Sequence, residues 1–188
     1  IINSNWVIIL SLRISSFFLF FSGIIRHDVD EKNYLSLANQ KEFNCVGRIY
    51  KDSTSSGSCV LISDRFVLSA AHVFIDSDTR PDTIEFNGVK AVSYVTYNHR
   101  VTDVSKIYLM FNGQKVKVKK LLLHPNYLDS LTKGSCDIAL LELEKTIHNI
   151  TPAKVNTAFD ELNSIVVGVG YGASGPASRP DLVSQQNK

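Results

Sequence analysis

Eight residues in the first half of the chain read Phe66-Val67-Leu68-Ser69-Ala70-Ala71-His72-Val73. A second stretch, whose aspartate follows that histidine by 65 residues, reads Cys136-Asp137-Ile138-Ala139-Leu140-Leu141. In each stretch the titratable residue adjoins an apolar run, so that burial can hold its side chain in place. A neutral imidazole can take a proton from a hydroxyl nucleophile when a carboxylate fixes its tautomer and stabilises the imidazolium. The pair predicts His72 as a general base and Asp137 as the group that orients it.

The two stretches resemble the histidine and aspartate motifs of the trypsin-like (chymotrypsin-fold) serine proteases. Two further stretches are similar to structural motifs of that family, namely His124-Pro125-Asn126-Tyr127 and Gly168-Val169-Gly170-Tyr171-Gly172. The resemblance implies two β-barrels with the catalytic triad in the cleft between them. It also implies hydrolysis of peptide bonds through an acyl-enzyme, with His72 as base and then acid.

The serine of the triad is missing from the expected sequence setting. No serine stands in a Gly-Asp-Ser-Gly-Gly stretch, and Ser174, in Gly172-Ala173-Ser174-Gly175-Pro176, follows Asp137 too closely. In the chymotrypsin triad the serine follows the aspartate by about 93 residues. We therefore expect no nucleophile in this chain, an incomplete protease, and no proteolysis by these 188 residues alone.

The resemblance implies an all-β fold, the first six-stranded antiparallel β-barrel of a double-barrel protein with the second barrel truncated. We expect a signal peptide or membrane anchor over 1–23 and an N-terminal mature segment over 24–44. The first barrel would then occupy 45–164, and 165–188 would begin the second. Short β-branched and aromatic runs separated by turn residues favour this class.

Strands are expected over the following stretches: Cys45–Tyr50, Ser58–Ser63, Phe66–Ser69, Val89–Tyr97, Lys106–Phe111, Val116–Leu123, Ile138–Glu144 and Ile165–Val169. The Ser- and Thr-rich residues Lys51–Gly57 predict a turn, and Ala70–Val73 a single helical turn. The interval between His72 and Asp137 exceeds the corresponding interval of the chymotrypsin triad by roughly 20 residues. We expect the surplus between Asp76 and Thr102, as a surface loop or hairpin.

The most apolar window, residues 6–25, is interrupted by Arg13. A secretory signal peptide is the favoured interpretation, while an uncleaved anchor and a buried core segment stay open. The expected location is accordingly secreted, extracellular or periplasmic. Contact with a membrane is expected only through an uncleaved N-terminal segment.

The net charge is +2, so the composition indicates no polyanionic partner and no nucleic-acid binding. The densest basic run, 115–120, alternates lysine with valine over most of its length, as the solvated face of a strand does. No histidine spacing predicts a metal site, and we expect no cofactor. The expected partners are polypeptide substrates.

The chain has three cysteines, Cys45, Cys59 and Cys136. We interpret Cys45 and Cys59 as buried thiols, while a bridge between them stays open, and Cys136 as a core cysteine. The disulfide that commonly flanks the family's histidine motif would fall on Gly57 and Val73, so it is absent here.

Two other functions stay open. One is a noncatalytic protease homologue that acts as a binding module after losing its nucleophile. The other is a complete but inactive protein.

Overall fold

A computed structural model describes residues 23–24, 29–86, 88–127, 136–158, 162, 164, 166–175 and 184–187. Its strands and α-helix are, in chain order, β1 (Gly23–Ile24), α1 (Glu31–Ala38), β2 (Val46–Lys51), β3 (Thr54–Leu61), β4 (Phe66–Ser69), β5 (Ile75–Phe86), β6 (Val89–Val101), β7 (Ile107–Phe111), β8 (Gln114–Leu123), β9 (Ala139–Leu143), β10 (Gly172–Gly175) and β11 (Ser184–Asn187). Short 3-10 turns cover Lys41–Cys45, Ala71–Phe74, Val104–Lys106 and Pro125–Tyr127. The expected signal segment 1–23 lies almost wholly outside the described residues.

Six strands close into an antiparallel barrel in the order β2-β3-β4-β9-β8-β7. Alternate side chains of each strand point into it, as the pleat requires. On β7 these are Ile107, Leu109 and Phe111, and on β9 they are Ala139, Leu141 and Leu143, all of them buried. The prediction of an all-β fold with a six-stranded antiparallel barrel is confirmed.

The turn predicted over Lys51–Gly57 is wrong, because β3 already begins at Thr54. Only Asp52 and Ser53 form the reversal, with φ of 46° and 79°. Thr54 and Ser55 pair with Lys51 and Tyr50, and the register shifts between Ile49 and Tyr50. The composition of a hydroxyl-rich stretch predicts a turn. The same stretch can form the end of a strand when a neighbouring strand supplies the backbone hydrogen bonds.

The structure differs from the sequence analysis in two other places. The strand expected over Ile165–Val169 is reduced, within its described residues, to an isolated bridge at Val167. The N-terminal segment contains a helix that the sequence analysis did not predict, α1, whose N-cap Asp30 accepts a hydrogen bond from the Lys32 N–H at 2.9 Å. The only sequence signal for this helix is the N-cap Asp30 before Glu31, and one cap residue is weak evidence for so short a helix.

The surplus residues between the histidine and the aspartate form a long hairpin, β5 with β6. Its position between Asp76 and Thr102 agrees with the prediction, and its strands extend beyond the expected Val89–Tyr97. The hairpin is anchored where it leaves the barrel. The Thr102 N–H donates to the Phe74 carbonyl at 2.8 Å, and Lys51 Nζ lies 3.0 Å from Asp76 Oδ1.

A small third sheet joins β1, β10 and β11. β1 runs parallel to β10, with Gly23 opposite Ser174, and β11 runs antiparallel to β10. Within the part of the chain that the structure describes, no helix is long and apolar enough to cross a membrane.

Candidate active site

His72 lies on the 3-10 turn Ala71–Phe74 that follows β4. The turn is held by two fully buried side chains, Ala71 and Phe74, both with 0% exposure. Because the same turn points His72 outward, its imidazole is 46% exposed. The predicted helical turn is therefore confirmed. Ala71 and Phe74 fix it in the core, and the His72 ring stays accessible to solvent.

Asp137 lies two residues before β9, and β9 pairs with β4 so that Ala139 faces Ser69. This register brings the aspartate beside the turn that begins just after β4. Asp137 Oδ2 is 2.7 Å from His72 Nδ1, and Asp137 Oδ1 accepts a hydrogen bond from the His72 backbone N–H at 2.8 Å. The structure thus brings together the two residues that the sequence analysis selected.

The two bonds hold the ring and the backbone of His72 with one carboxylate, whose side chain is only 12% exposed. A carboxylate at Nδ1 favours the tautomer that carries its proton there and has its lone pair on Nε2. The same carboxylate would stabilise the imidazolium formed when Nε2 takes a proton. The arrangement is chemically suited to a general base.

A serine pair, which the sequence analysis did not select, supports the strand before His72. Ser69 Oγ donates to the Ser58 carbonyl at 2.9 Å, and Ser58 Oγ accepts from the Tyr171 N–H at 2.6 Å. A Cβ on Gly170 would lie 2.9 Å from Ser58 Oγ, so glycine permits this close approach. Ser58 thereby links the segment around residue 170 to the strand that leads to the imidazole. The separation of 113 residues leaves no pattern from which sequence could predict the contact.

The remaining candidates lie elsewhere. Ser174 belongs to β10, in the third sheet. His124 Nδ1 accepts from the Asn126 N–H at 3.3 Å, and His148 Nε2 lies 2.8 Å from Thr146 Oγ1. His99 is exposed on β6, and His27 falls outside the described residues. Among the residues that the structure describes, no three His, Cys, Asp or Glu side chains form a group that could hold a metal ion.

Cys45 and Cys59 are buried thiols, as predicted, and no bridge joins them, whereas Cys136, expected in the core, is a partly exposed thiol. The register explains this result, because Cys59 faces Gly47 and not Cys45. Burial raises the pKa of the Cys59 thiol far above its ordinary value, although a backbone hydrogen bond from Gly47 acts in the opposite direction. Such a thiol is a core side chain and not a nucleophile.

The trypsin family model matches residues 36–188. No curated protein matches the chain. Among solved structures, the chain is similar to neuropsin, a serine protease expressed in the limbic system of mouse brain, with 18% sequence identity and a TM-score of 0.39. That match covers 60% of this chain and 43% of the neuropsin chain.

The family match extends over most of the sequence and includes His72, Asp137 and the whole barrel. The chain therefore belongs to the trypsin family of serine proteases.

Proposed function

We propose that this barrel supplies the general base and the orienting carboxylate of a serine endopeptidase that cleaves polypeptides. The observation that carries the proposal is the double contact of Asp137 with His72, to the ring Nδ1 at 2.7 Å and to the backbone N–H at 2.8 Å. One contact sets the tautomer and the other sets the position of the ring. Together they prepare Nε2 to accept a proton.

In the proposed reaction, His72 Nε2 takes the proton of a serine hydroxyl while the serine oxygen bonds to the peptide carbonyl carbon. The imidazolium then gives this proton to the amine nitrogen as the C–N bond breaks, which leaves an acyl-enzyme. Water attacks the acyl group with His72 again as base, and the serine departs with the proton returned. Asp137 stays ionised throughout and stabilises the imidazolium.

The serine would come from outside the 188 residues, because none of the serines present stands in a Gly-Asp-Ser-Gly-Gly stretch. The same observation favours the second candidate, a noncatalytic homologue that acts as a binding module. The apolar N-terminal window with its serines and glycine supports a secreted, extracellular or periplasmic location for either.

The test is labelling by a fluorophosphonate, which reacts with a serine only when the serine is activated by its base. The protein is produced from the complete reading frame of its gene, and peptide hydrolysis is measured in parallel. For the serine endopeptidase we expect labelling of the wild type. Asp137→Asn should reduce turnover by about 10⁴-fold, and His72→Ala by several orders of magnitude. The matched control is His99→Ala, an exposed histidine on β6, which should leave both readouts unchanged.

Near-wild-type hydrolysis in His72→Ala would remove this histidine from the mechanism. If the wild-type protein is neither labelled nor active, and its reading frame encodes no serine in the required setting, the binding-module hypothesis is supported instead.

A further inference from the structure

The hairpin β5–β6 is a two-stranded sheet, and no other strand in the described part of the chain pairs with it. It exposes several large apolar side chains, among them Val92 at 71%, Tyr94 at 63% and Ile84 at 51%. A lone two-stranded hairpin is marginally stable in water and gains from a further strand. A hairpin of this length with apolar side chains in water therefore favours a partner.

The two edges of the hairpin differ in how well they are protected against pairing. β5 carries Pro81 and charged residues at positions 76, 78, 80, 82 and 85, which are features that discourage strand addition. β6 has neither over residues 91–97, which read Ala-Val-Ser-Tyr-Val-Thr-Tyr. The edge of β6 is therefore the one open to another strand.

The proline also reveals which residues of β6 direct their backbone groups outward. Pro81 faces Tyr94, and proline has no N–H to donate across the ladder. This pair accordingly occupies a non-hydrogen-bonded position, where both residues turn their backbone groups away from each other. The pair Phe86–Val89, which ends the ladder two residues apart, leads by alternation to the same assignment. Tyr94, and with it Val92 and Thr96, presents N–H and C=O groups to the outer edge.

We propose that this edge pairs antiparallel with the same edge of a second copy of the chain, about a two-fold axis at Tyr94. Tyr94 is the central residue of the uncharged stretch 91–97. In this register it faces the partner's Tyr94, and Val92 faces the partner's Thr96. About six backbone hydrogen bonds form across the axis, two for each facing pair of outward residues.

The edge is compatible with itself, which favours a second copy as the occupant, because the two-fold register sets uncharged residues against uncharged residues over 91–97. The register places Lys90 opposite the partner's Asn98, so no like charges meet across the seven uncharged residues. Asn98, with φ of 50°, ends the extended backbone beyond that point. The two hairpins become one four-stranded sheet, with Val92, Tyr94 and Thr96 of both copies on one face. This inference does not depend on catalytic activity.

The two-fold axis provides a specific test by sedimentation velocity of the full chain over a range of concentrations. We expect a concentration-dependent dimer. Tyr94→Lys and Tyr94→Glu should each raise its dissociation constant by about tenfold or more, because each removes an aromatic pair and sets like charges face to face. An equimolar mixture of the two variants should restore the dimer, since lysine then faces glutamate.

The matched control is Thr83→Lys, which places the same charge on the same face but on β5, away from the axis. It should leave dimerisation unchanged. A wild-type protein that stays monomeric throughout would overturn the proposal. So would dimerisation that responds equally to Tyr94→Lys and Thr83→Lys, or that the mixture fails to restore.

Discussion

Cys136 has a backbone φ of 59°, a value that non-glycine residues seldom adopt, and it stands directly before Asp137. Its carbonyl accepts a hydrogen bond from the Ile138 N–H at 2.7 Å, so the chain turns tightly around the aspartate. Unusual backbone conformations persist where the surroundings impose them, often at functional sites. At this scale, the tight turn and the two hydrogen bonds to His72 orient the Asp137 carboxylate.

The three thiols differ in access, and this difference predicts their reactivity. Cys45 and Cys59 are 1% and 0% exposed, whereas Cys136 is partly exposed. In the native protein we expect a thiol reagent to modify Cys136 quickly, and the other two only after unfolding. Mass spectrometry of timed samples at pH 8 measures this directly.

Cys136→Ser is the control for that experiment, and it should abolish the fast phase. Fast modification of Cys59 in the folded chain would contradict the buried position of its side chain.

Among the elements, the base of the hairpin is where the insertion joins the barrel. Burial of Asp76 acts to raise the pKa of its carboxyl, but the hydrogen bond from Lys51 and the charges of Lys51 and Arg100 together lower that pKa below its ordinary value. The ionised form is therefore favoured by folding. Its contribution is complete above the unfolded-state pKa and is lost as the pH falls through the lower folded-state pKa.

Asp76→Asn should reduce the free energy of unfolding at pH 7 by no more than about 1 kcal/mol, because the ion pair is partly exposed. The difference between variant and wild type should shrink as the pH falls below about 4. Urea unfolding at several pH values measures both. Asp82→Asn, at the exposed middle of β5, is the matched control, and a loss that persists unchanged in acid would exclude the ionic explanation.

For the whole molecule, the barrel and the hairpin are separable units of hydrogen bonding. The barrel ladder runs only through β2, β3, β4, β7, β8 and β9, and the hairpin strands pair only with each other in the described part of the chain. The buried Phe74 packs in the barrel core at the point where the hairpin begins. Loss of the outer part of the hairpin, residues 81–94, should consequently leave the barrel and the His72–Asp137 contact intact.

We predict that replacing residues 81–94 by Asn-Gly changes the free energy of barrel unfolding by less than about 1 kcal/mol, since loop length enters closure entropy only logarithmically. The replacement should also abolish the proposed dimer. Phe74→Ala, a change of one residue in the core, should instead cost about 3–5 kcal/mol. Denaturant unfolding followed by fluorescence compares the two variants. A large loss of unfolding free energy on shortening the hairpin would show that the hairpin supports the barrel.

Some features of the fold and the candidate site could be predicted from the sequence, and others could not. His72, Asp137, the helical turn and the barrel class were accessible from sequence, because each depends on a contiguous run whose polarity and spacing carry the signal. The hairpin's location followed from the surplus length between the two motifs. The start of β3 at Thr54 and the helix α1 were not accessible, since hydroxyl-rich and short amphipathic stretches suit more than one local structure.

The amino-acid sequence alone determined which two side chains are the candidates for the site, the imidazole of His72 and the carboxylate of Asp137. Only the tertiary structure decided that they meet, at 2.7 Å, because the pairing of β4 with β9 sets that distance across 65 residues. It also decided that Ser58 joins Tyr171 to the histidine strand, and that no strand among the described residues pairs with the outer edge of β6. The physical reason is that strand register and sheet order depend on which strands find each other, whereas residue pattern reports only the face that each strand buries.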